Sequence, residues 1–206
     1  MTFVEYVRSF ASEWWRITLL GEPTMLIPVA VVTIVWLWAS CARRIALVWA
    51  GLLCLGGALL VAQKLLYYVG GISLSSIRLY TMSGHSLAAS FIYGSLIAII
   101  AREWPRALKY LAWTAVAALV LAIGVSRVAV AGHRSSEAIS GLALGTILLG
   151  CFLHYSWRGA RPRVSIWALA IPCLLVMIAT YGHVIEFENI FRYLGRLAHP
   201  GSRFYH

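Results

Sequence analysis

Long apolar runs separated by short polar segments make up most of this chain. Six of them have roughly the length, about 17–25 residues, that a helix needs to cross a bilayer. In chain order the runs are Met25–Cys41, Ile45–Ala62, Ser83–Ala101, Leu108–Val125, Glu137–Leu153 and Val164–Tyr181. The pattern predicts an all-α polytopic membrane protein, with six transmembrane helices in a single domain over residues 1–206.

Both ends of the chain carry an amphipathic pattern instead. Residues 1–16 combine apolar side chains at helical spacing with two glutamates, and they lack the apolar core of a cleavable signal. The segment 183–206 has a helical apolar stripe formed by Phe187, Ile190, Phe191, Leu194 and Leu197. We therefore expect interfacial N- and C-terminal helices.

The composition supports membrane insertion and argues against a nucleic-acid partner. The chain is 61% hydrophobic and 12% charged, whereas an average soluble domain has about 25% charged residues. Its net charge is +10, yet no basic run is longer than Arg43-Arg44. Such scattered charge suits membrane topology and anionic lipid headgroups. The four cysteines lack metal-ligand spacing, so we interpret them as packing residues and expect no metal or other cofactor.

The basic residues also predict an orientation. Six spans place both chain ends on one face, and the three short loops on the opposite face hold eight basic residues and one acid. The face with the chain ends has nine basic residues, but four of them belong to the candidate site described below, namely Lys64, Arg78, Arg127 and Arg134. The positive-inside rule then makes the three-loop face cytoplasmic. We expect a bacterial-type cytoplasmic membrane protein with its site facing the periplasm or the exterior.

Ionisable residues gather where the third and fifth runs begin, a position at which membrane proteins rarely keep them without a function. Both runs are long enough to span only if they start at Ser83 and Glu137. This places the two residues at helix N-termini, where amide groups and the helix dipole favour an anion.

His133 and Glu137 are four residues apart and would share one helix face. The carboxylate can hold one imidazole nitrogen and leave the other free to attack, although an isolated pair of this kind also reads as a polar helix cap. Arg127 cannot share that face on a continuous helix. Gly132 offers a turn that would return it to His133, where its guanidinium would bind phosphate oxygens.

Ser83-Gly84-His85 opens the third run. His85 would donate a proton to a leaving oxygen while the Ser83 and Gly84 amides hold the phosphate. The alternative is a helix-capping serine beside an interfacial histidine. Lys64, directly after the second run, is by itself best interpreted as a snorkelling anchor.

Together these residues resemble the type 2 phosphatidic acid phosphatase (PAP2) superfamily, whose pattern is Lys-x6-Arg-Pro, then Pro-Ser-Gly-His, then Ser-Arg-x5-His-x3-Asp. The family's third element matches Ser126, Arg127, His133 and Glu137, with Glu in place of Asp. Its second element matches Met82, Ser83, Gly84 and His85, without the proline. The resemblance covers about residues 60–155, which form the motif core.

The first element departs from the family pattern. Lys64 is followed at the expected spacing by Gly71-Ile72 instead of Arg-Pro. The missing arginine is replaced either by Arg78 or by Arg134. We favour Arg78, because the Gly70-Gly71 pair would let that loop fold over the site.

The resemblance implies a metal-independent phosphatase mechanism. His133 attacks phosphorus to form a phosphohistidine, Glu137 orients it, and His85 protonates the leaving group. Lys64 and Arg127 bind the phosphate oxygens, assisted by Arg78, Ser83 and Gly84. The substrate would be a phosphorylated lipid of the outer leaflet, and undecaprenyl diphosphate is slightly preferred because the short loops offer little to grip a bulky headgroup.

Two other functions stay open at this point. The phosphohistidine would pass its phosphate to a second lipid in a phosphotransferase. A catalytically inactive lipid-binding or transport protein would keep the pocket alone. Retention of both histidines and Arg127 favours an enzyme.

Overall fold

A computed structural model of the protein describes residues 12–73, 76, 79–156, 165–185 and 187–198. These residues are mainly helical and contain no strand. A helix over residues 12–19 (α1) leads through a short turn into the next element. The other helices are α2 (Pro23–Ala39), α3 (Arg43–Tyr68), α4 (Gly84–Ile100), α5 (Arg106–Ala129), α6 (Ser135–Ser156), α7 (Trp167–Thr180) and α8 (Glu188–Ala198).

Within the described residues, five helices are long and apolar enough to cross a membrane. The first runs from Ser12 to Ala39 through α1 and α2, and the others are α3, α4 with the following 3-10 turn, α5 and α6. The predicted sixth span corresponds to α7, which is apolar but has only 14 residues. The prediction of an all-α polytopic membrane protein is confirmed. Most of the predicted N-terminal interfacial helix lies outside the described residues, and α8 is a helix in the segment predicted to form the C-terminal one.

Helix α4 is the central element of the bundle and packs against α2, α3, α5 and α6. Its side chains are almost all buried between Ser86 and Leu96. The indole of Trp49 in α3 donates a hydrogen bond to Ser95 Oγ at 2.7 Å, and its ring packs on Phe91. This packing fixes the middle and the C-terminal half of α4 inside the bundle.

The outer faces of the helices are apolar as well. Large exposed hydrophobic side chains lie along α3, α5 and α7, among them Leu47, Leu111, Leu121, Leu174 and Ile178. An apolar surface of this extent is unfavourable in water and is suited to lipid tails. The protein is therefore integral to a membrane.

Three helix boundaries differ from those that hydropathy predicts. Helix α3 continues past Ala62 to Tyr68, so Lys64 lies within a helix and not after it. Helix α5 ends at Ala129, which places Arg127 in its last turn. Helix α6 begins at Ser135, two residues before Glu137. In α3 and α5 the helix continues past a polar residue whose side chain has a partner inside the protein, Glu188 for Lys64 and Thr18 for Arg127.

Candidate active site

Close packing of α4 against α6 brings the two histidine motifs together. A Cβ atom added at Gly141 would lie 2.4 Å from the carbonyl oxygen of Ser83, and one at Gly145 would lie 2.5 Å from that of Leu87. Only glycine permits this approach, as in the small-residue motifs of other membrane helices. At the end of the contact the Ser83 amide donates to the Glu137 carbonyl oxygen at 3.0 Å.

His133 and Glu137 form the predicted pair. Nδ1 of His133 lies 2.9 Å from Oε2 of the buried Glu137 carboxylate. The same oxygen accepts from the Arg134 amide, and Oε1 accepts from the Thr81 amide, both at 3.1 Å. Three hydrogen bonds thus fix the carboxylate, and it in turn fixes the imidazole. In the described part of the chain, Nε2 of His133 has no hydrogen-bond partner, so it is the nitrogen available for attack.

The turn between α5 and α6 places Arg127 beside His133. The amides of Gly132 and His133 both donate to the Arg127 carbonyl oxygen at 3.0 Å. The expected turn at Gly132 is therefore present, but the residue in the left-handed conformation is its neighbour Ala131, with φ of 56°. Gly132 has a different use, because a Cβ there would lie 2.7 Å from a guanidinium nitrogen of Arg127.

The Arg127 guanidinium is only partly paired. Nη1 donates to Thr18 Oγ1 at 3.2 Å, whereas Nε is buried without a hydrogen-bond partner among the described residues. A buried donor without a partner is costly unless a ligand satisfies it. The arrangement suits a phosphate oxygen, which prefers the planar fork of an arginine.

His85 has a carboxylate partner that sequence reasoning missed. Its Nε2 lies 2.8 Å from Oε1 of Glu22, a buried residue directly before α2. Ser83 caps α4 by accepting from the Ser86 amide at 3.4 Å. Since the Ser83 amide is engaged with Glu137 and the Ser86 amide with Ser83 Oγ, the Gly84 and His85 amides are the donors left for an anion at this helix end within the described structure.

Lys64 also has an unforeseen partner. Its ammonium group, almost fully buried, forms an ion pair with Glu188 of α8, and the Tyr68 hydroxyl donates to the same carboxylate. Burial by itself raises the pKa of the Glu188 carboxyl, but the charge and hydrogen bond of Lys64, together with Tyr68, hold that pKa below its usual value. Glu188 therefore stays ionised near neutral pH. It is paired with Lys64, the cation predicted to bind phosphate.

The segment before α4 is held from two sides. Gln63 donates to the Tyr80 carbonyl oxygen at 2.6 Å and accepts from the Met82 amide at 2.8 Å. The Arg134 guanidinium lies over the Tyr80 ring, 4.6 Å from its centre. Arg78, the predicted substitute for the missing family arginine, lies outside the described residues.

These groups converge on one region at the N-terminal ends of α4 and α6. His85 lies within electrostatic range of Arg127 and His133, and Glu188 lies within range of the same two residues. The described residues contain no cluster of three or more His, Cys, Asp or Glu side chains suited to a metal ion. The available chemistry is that of two histidine–carboxylate pairs with an arginine and a lysine between them.

Comparison with known families gives one match. Residues 73–162 match the family model described as the PAP2 superfamily. This segment contains both histidine motifs and the α4–α6 contact, and it leaves out Glu22, Lys64 and Glu188. No curated protein and no solved structure matches the chain.

Proposed function

This protein belongs to the PAP2 superfamily, and from that membership we propose that it is a metal-independent phosphatase of membrane lipids. The substrate carries a phosphomonoester or diphosphate headgroup, and the products are inorganic phosphate and the shortened lipid. The observation that supports this most strongly is the His133–Glu137 pair, held beside His85 by the α4–α6 contact.

In the first half of the reaction, Nε2 of His133 forms a bond to phosphorus as the bond from phosphorus to the leaving oxygen breaks. Glu137 accepts the Nδ1 hydrogen bond at 2.9 Å, which orients the ring and stabilises the charge it gains. His85 gives a proton to the leaving oxygen, so the lipid departs as an alcohol or a monophosphate. The enzyme is left as a phosphohistidine.

In the second half, water attacks the phosphohistidine and the bond between phosphorus and nitrogen breaks. His85, now deprotonated, takes a proton from the water, so both rings return to their starting states. Arg127, Lys64 and the Gly84 amide bind the phosphate oxygens in both steps. Phosphate reaches Lys64 by displacing the Glu188 carboxylate, which forms an ion pair with it in the structure.

The surroundings of the site favour a lipid substrate. The site lies at the ends of membrane-spanning helices, next to faces that are exposed and apolar. The lipid tail would lie along such a face while its headgroup reaches the region at the N-terminal ends of α4 and α6, where both histidines lie. The distribution of basic residues supports an outer-leaflet site, and the short connection at residues 130–134 favours a small headgroup such as that of undecaprenyl diphosphate.

The test is phosphate release from a panel of lipid phosphates by the purified protein in detergent, without added metal. We expect turnover of at least one lipid, competitive inhibition by vanadate, and no inhibition by EDTA. Excess acceptor lipid tests for phosphotransfer, since phosphate would then appear on the acceptor and not in solution. Loss of activity in EDTA would contradict the metal-independent mechanism, and binding without turnover would favour the inactive lipid-binding protein.

A further inference from the structure

Glu22 is a buried carboxylate outside both histidine motifs, and its side chain makes one strong contact. Oε1 lies 2.8 Å from Nε2 of His85, while Oε2 is buried without a hydrogen-bond partner among the described residues. Glu22 occupies the N-cap position of α2, yet its side chain makes no capping hydrogen bond. A carboxylate at a helix N-terminus ordinarily stabilises its own helix. Here the group is directed to His85 instead.

The chain around Glu22 is built to bring it to α4. A Cβ at Gly21 would lie 2.8 Å from Ile123 Cγ2 and 3.3 Å from the His85 Cβ, so only glycine fits at this approach. The Tyr93 hydroxyl donates to the Leu20 carbonyl oxygen at 2.6 Å, which ties the same segment to the middle of α4. The position of Glu22 is therefore fixed by the two residues that precede it.

The charges near His85 explain what a carboxylate would do there. Arg127, from α5, and His133, from the turn before α6, both lie within electrostatic range of the His85 ring. Both are cationic when protonated, and like charges disfavour a second cation nearby. Glu22 supplies the opposing charge, in contact with Nε2 of the ring and within electrostatic range of Arg127. Burying an unpaired carboxylate is costly, which argues that this pairing has a use.

We propose that Glu22 is the positioning residue for the general acid, a role that rests on the proposed phosphatase function. Its carboxylate holds the proton on Nε2 of the His85 imidazolium, so that Nδ1 is the nitrogen that gives its proton to the leaving oxygen. In the second half of the reaction Nδ1 takes a proton from water, and the bond from Nε2 to Glu22 persists throughout. The protein then uses two histidine–glutamate pairs, one for attack and one for proton transfer.

A comparison of leaving groups separates this role from a structural one. An alkyl phosphate such as phosphatidate has a poor leaving group that needs a proton, whereas p-nitrophenyl phosphate has a good one that needs little help. The kcat/KM of each substrate covers binding and the first phosphoryl transfer and is independent of the later hydrolysis of the phosphohistidine. Glu22→Gln should lower kcat/KM for the alkyl phosphate by about 10- to 100-fold and that for the aryl phosphate by less than about threefold.

Two further variants make the comparison decisive. Glu13→Gln alters an exposed carboxylate in the preceding helix and should change neither substrate. Glu22→Asp keeps the charge, and its losses of kcat/KM for the alkyl and the aryl phosphate are compared in the same way. This variant takes the place of Glu22→Gln if the Gln variant does not fold. An equal loss with both substrates, or no loss with either, would overturn the role of Glu22. A wild-type protein inactive on every phosphate ester would remove the proposed function itself, and this inference with it.

Discussion

Single side chains hold the His133 imidazole in one orientation. Glu137 contacts it at 2.9 Å and is itself bound by the backbone amides of Thr81 and Arg134. These contacts depend on both the charge and the position of the Glu137 carboxylate. Substitution by Gln removes the charge, and substitution by Asp keeps the charge on a shorter side chain.

Glu137→Gln should lower kcat far more than Glu137→Asp. The amide loses the charge that stabilises the imidazolium, and in a serine-protease triad the comparable loss is about 10⁴-fold in kcat. The Asp variant keeps the charge, although its side chain is shorter. Steady-state kinetics on one lipid phosphate measures both. Equal activity in the two variants would mean that Glu137 acts only as a helix cap.

At the scale of the element, the contact between α4 and α6 determines whether the site exists. The two helices approach so closely that the backbone of one touches a glycine of the other, at Gly141 against Ser83. No flexible side chain lies between them to absorb an added atom. The geometry of the site therefore depends on a residue that takes no part in the chemistry.

Gly141→Ala should destabilise the protein by about 1–3 kcal/mol and lower kcat, because the new Cβ forces α4 away from α6. The matched control is Gly150→Ala in the same helix, where an added Cβ meets nothing within 4 Å. Thermal unfolding in detergent and lipid phosphate turnover measure the two effects. Similar behaviour of both variants would contradict the proposed helix contact.

Helix α8 should affect substrate binding through its Glu188. Its Glu188 forms an ion pair with the Lys64 ammonium, in the position where the proposed function needs a phosphate oxygen. Glu188→Gln should lower KM for the lipid severalfold, since the carboxylate no longer competes with or repels the phosphate. Glu103→Gln, an exposed carboxylate at the other end of α4, is the control. An increase in KM would instead make Glu188 a residue that positions Lys64.

For the whole molecule, the exposed apolar surface establishes membrane insertion, whereas the orientation rests on the distribution of basic residues. In a background without native cysteines, Ser135→Cys should react with an impermeant maleimide from outside intact cells. Arg106→Cys, at the start of α5 and the opposite end of the bundle, should not react. Both positions are exposed in the fold. The reverse pattern would place the site in the cytoplasm and exclude outer-leaflet substrates.

Much of this architecture follows from sequence, for physical reasons. A bilayer requires long apolar helices, so hydropathy finds them, and the spacing of His133 and Glu137 is short enough for local geometry to pair them. Glu22 and Glu188 pair with residues far away in sequence, at His85 and Lys64, and only tertiary packing determines such contacts. One signal was present: the chain has seven acidic residues, so each one beside an apolar run was a candidate for pairing.

The α3 boundary was misplaced for a related reason. Lys64 reads as a polar end to an apolar run, but its charge is neutralised by Glu188 and the helix continues to Tyr68. A hydropathy scale gives lysine the same unfavourable value whether or not its charge is paired inside the protein. Similarly, Gly132 is the residue that sequence rules choose for the turn, whereas Ala131 adopts the left-handed conformation and Gly132 makes room for Arg127.

The central claim is that His133 carries the phosphate during turnover. The direct measurement is rapid quenching of the purified protein into alkali, which preserves phosphohistidine, after mixing with a labelled lipid phosphate. We predict label on His133 in the wild type, none in His133→Ala, and an unchanged amount in His154→Ala, which alters a histidine at the far end of α6. Label on another residue, or normal turnover by His133→Ala, would contradict the account.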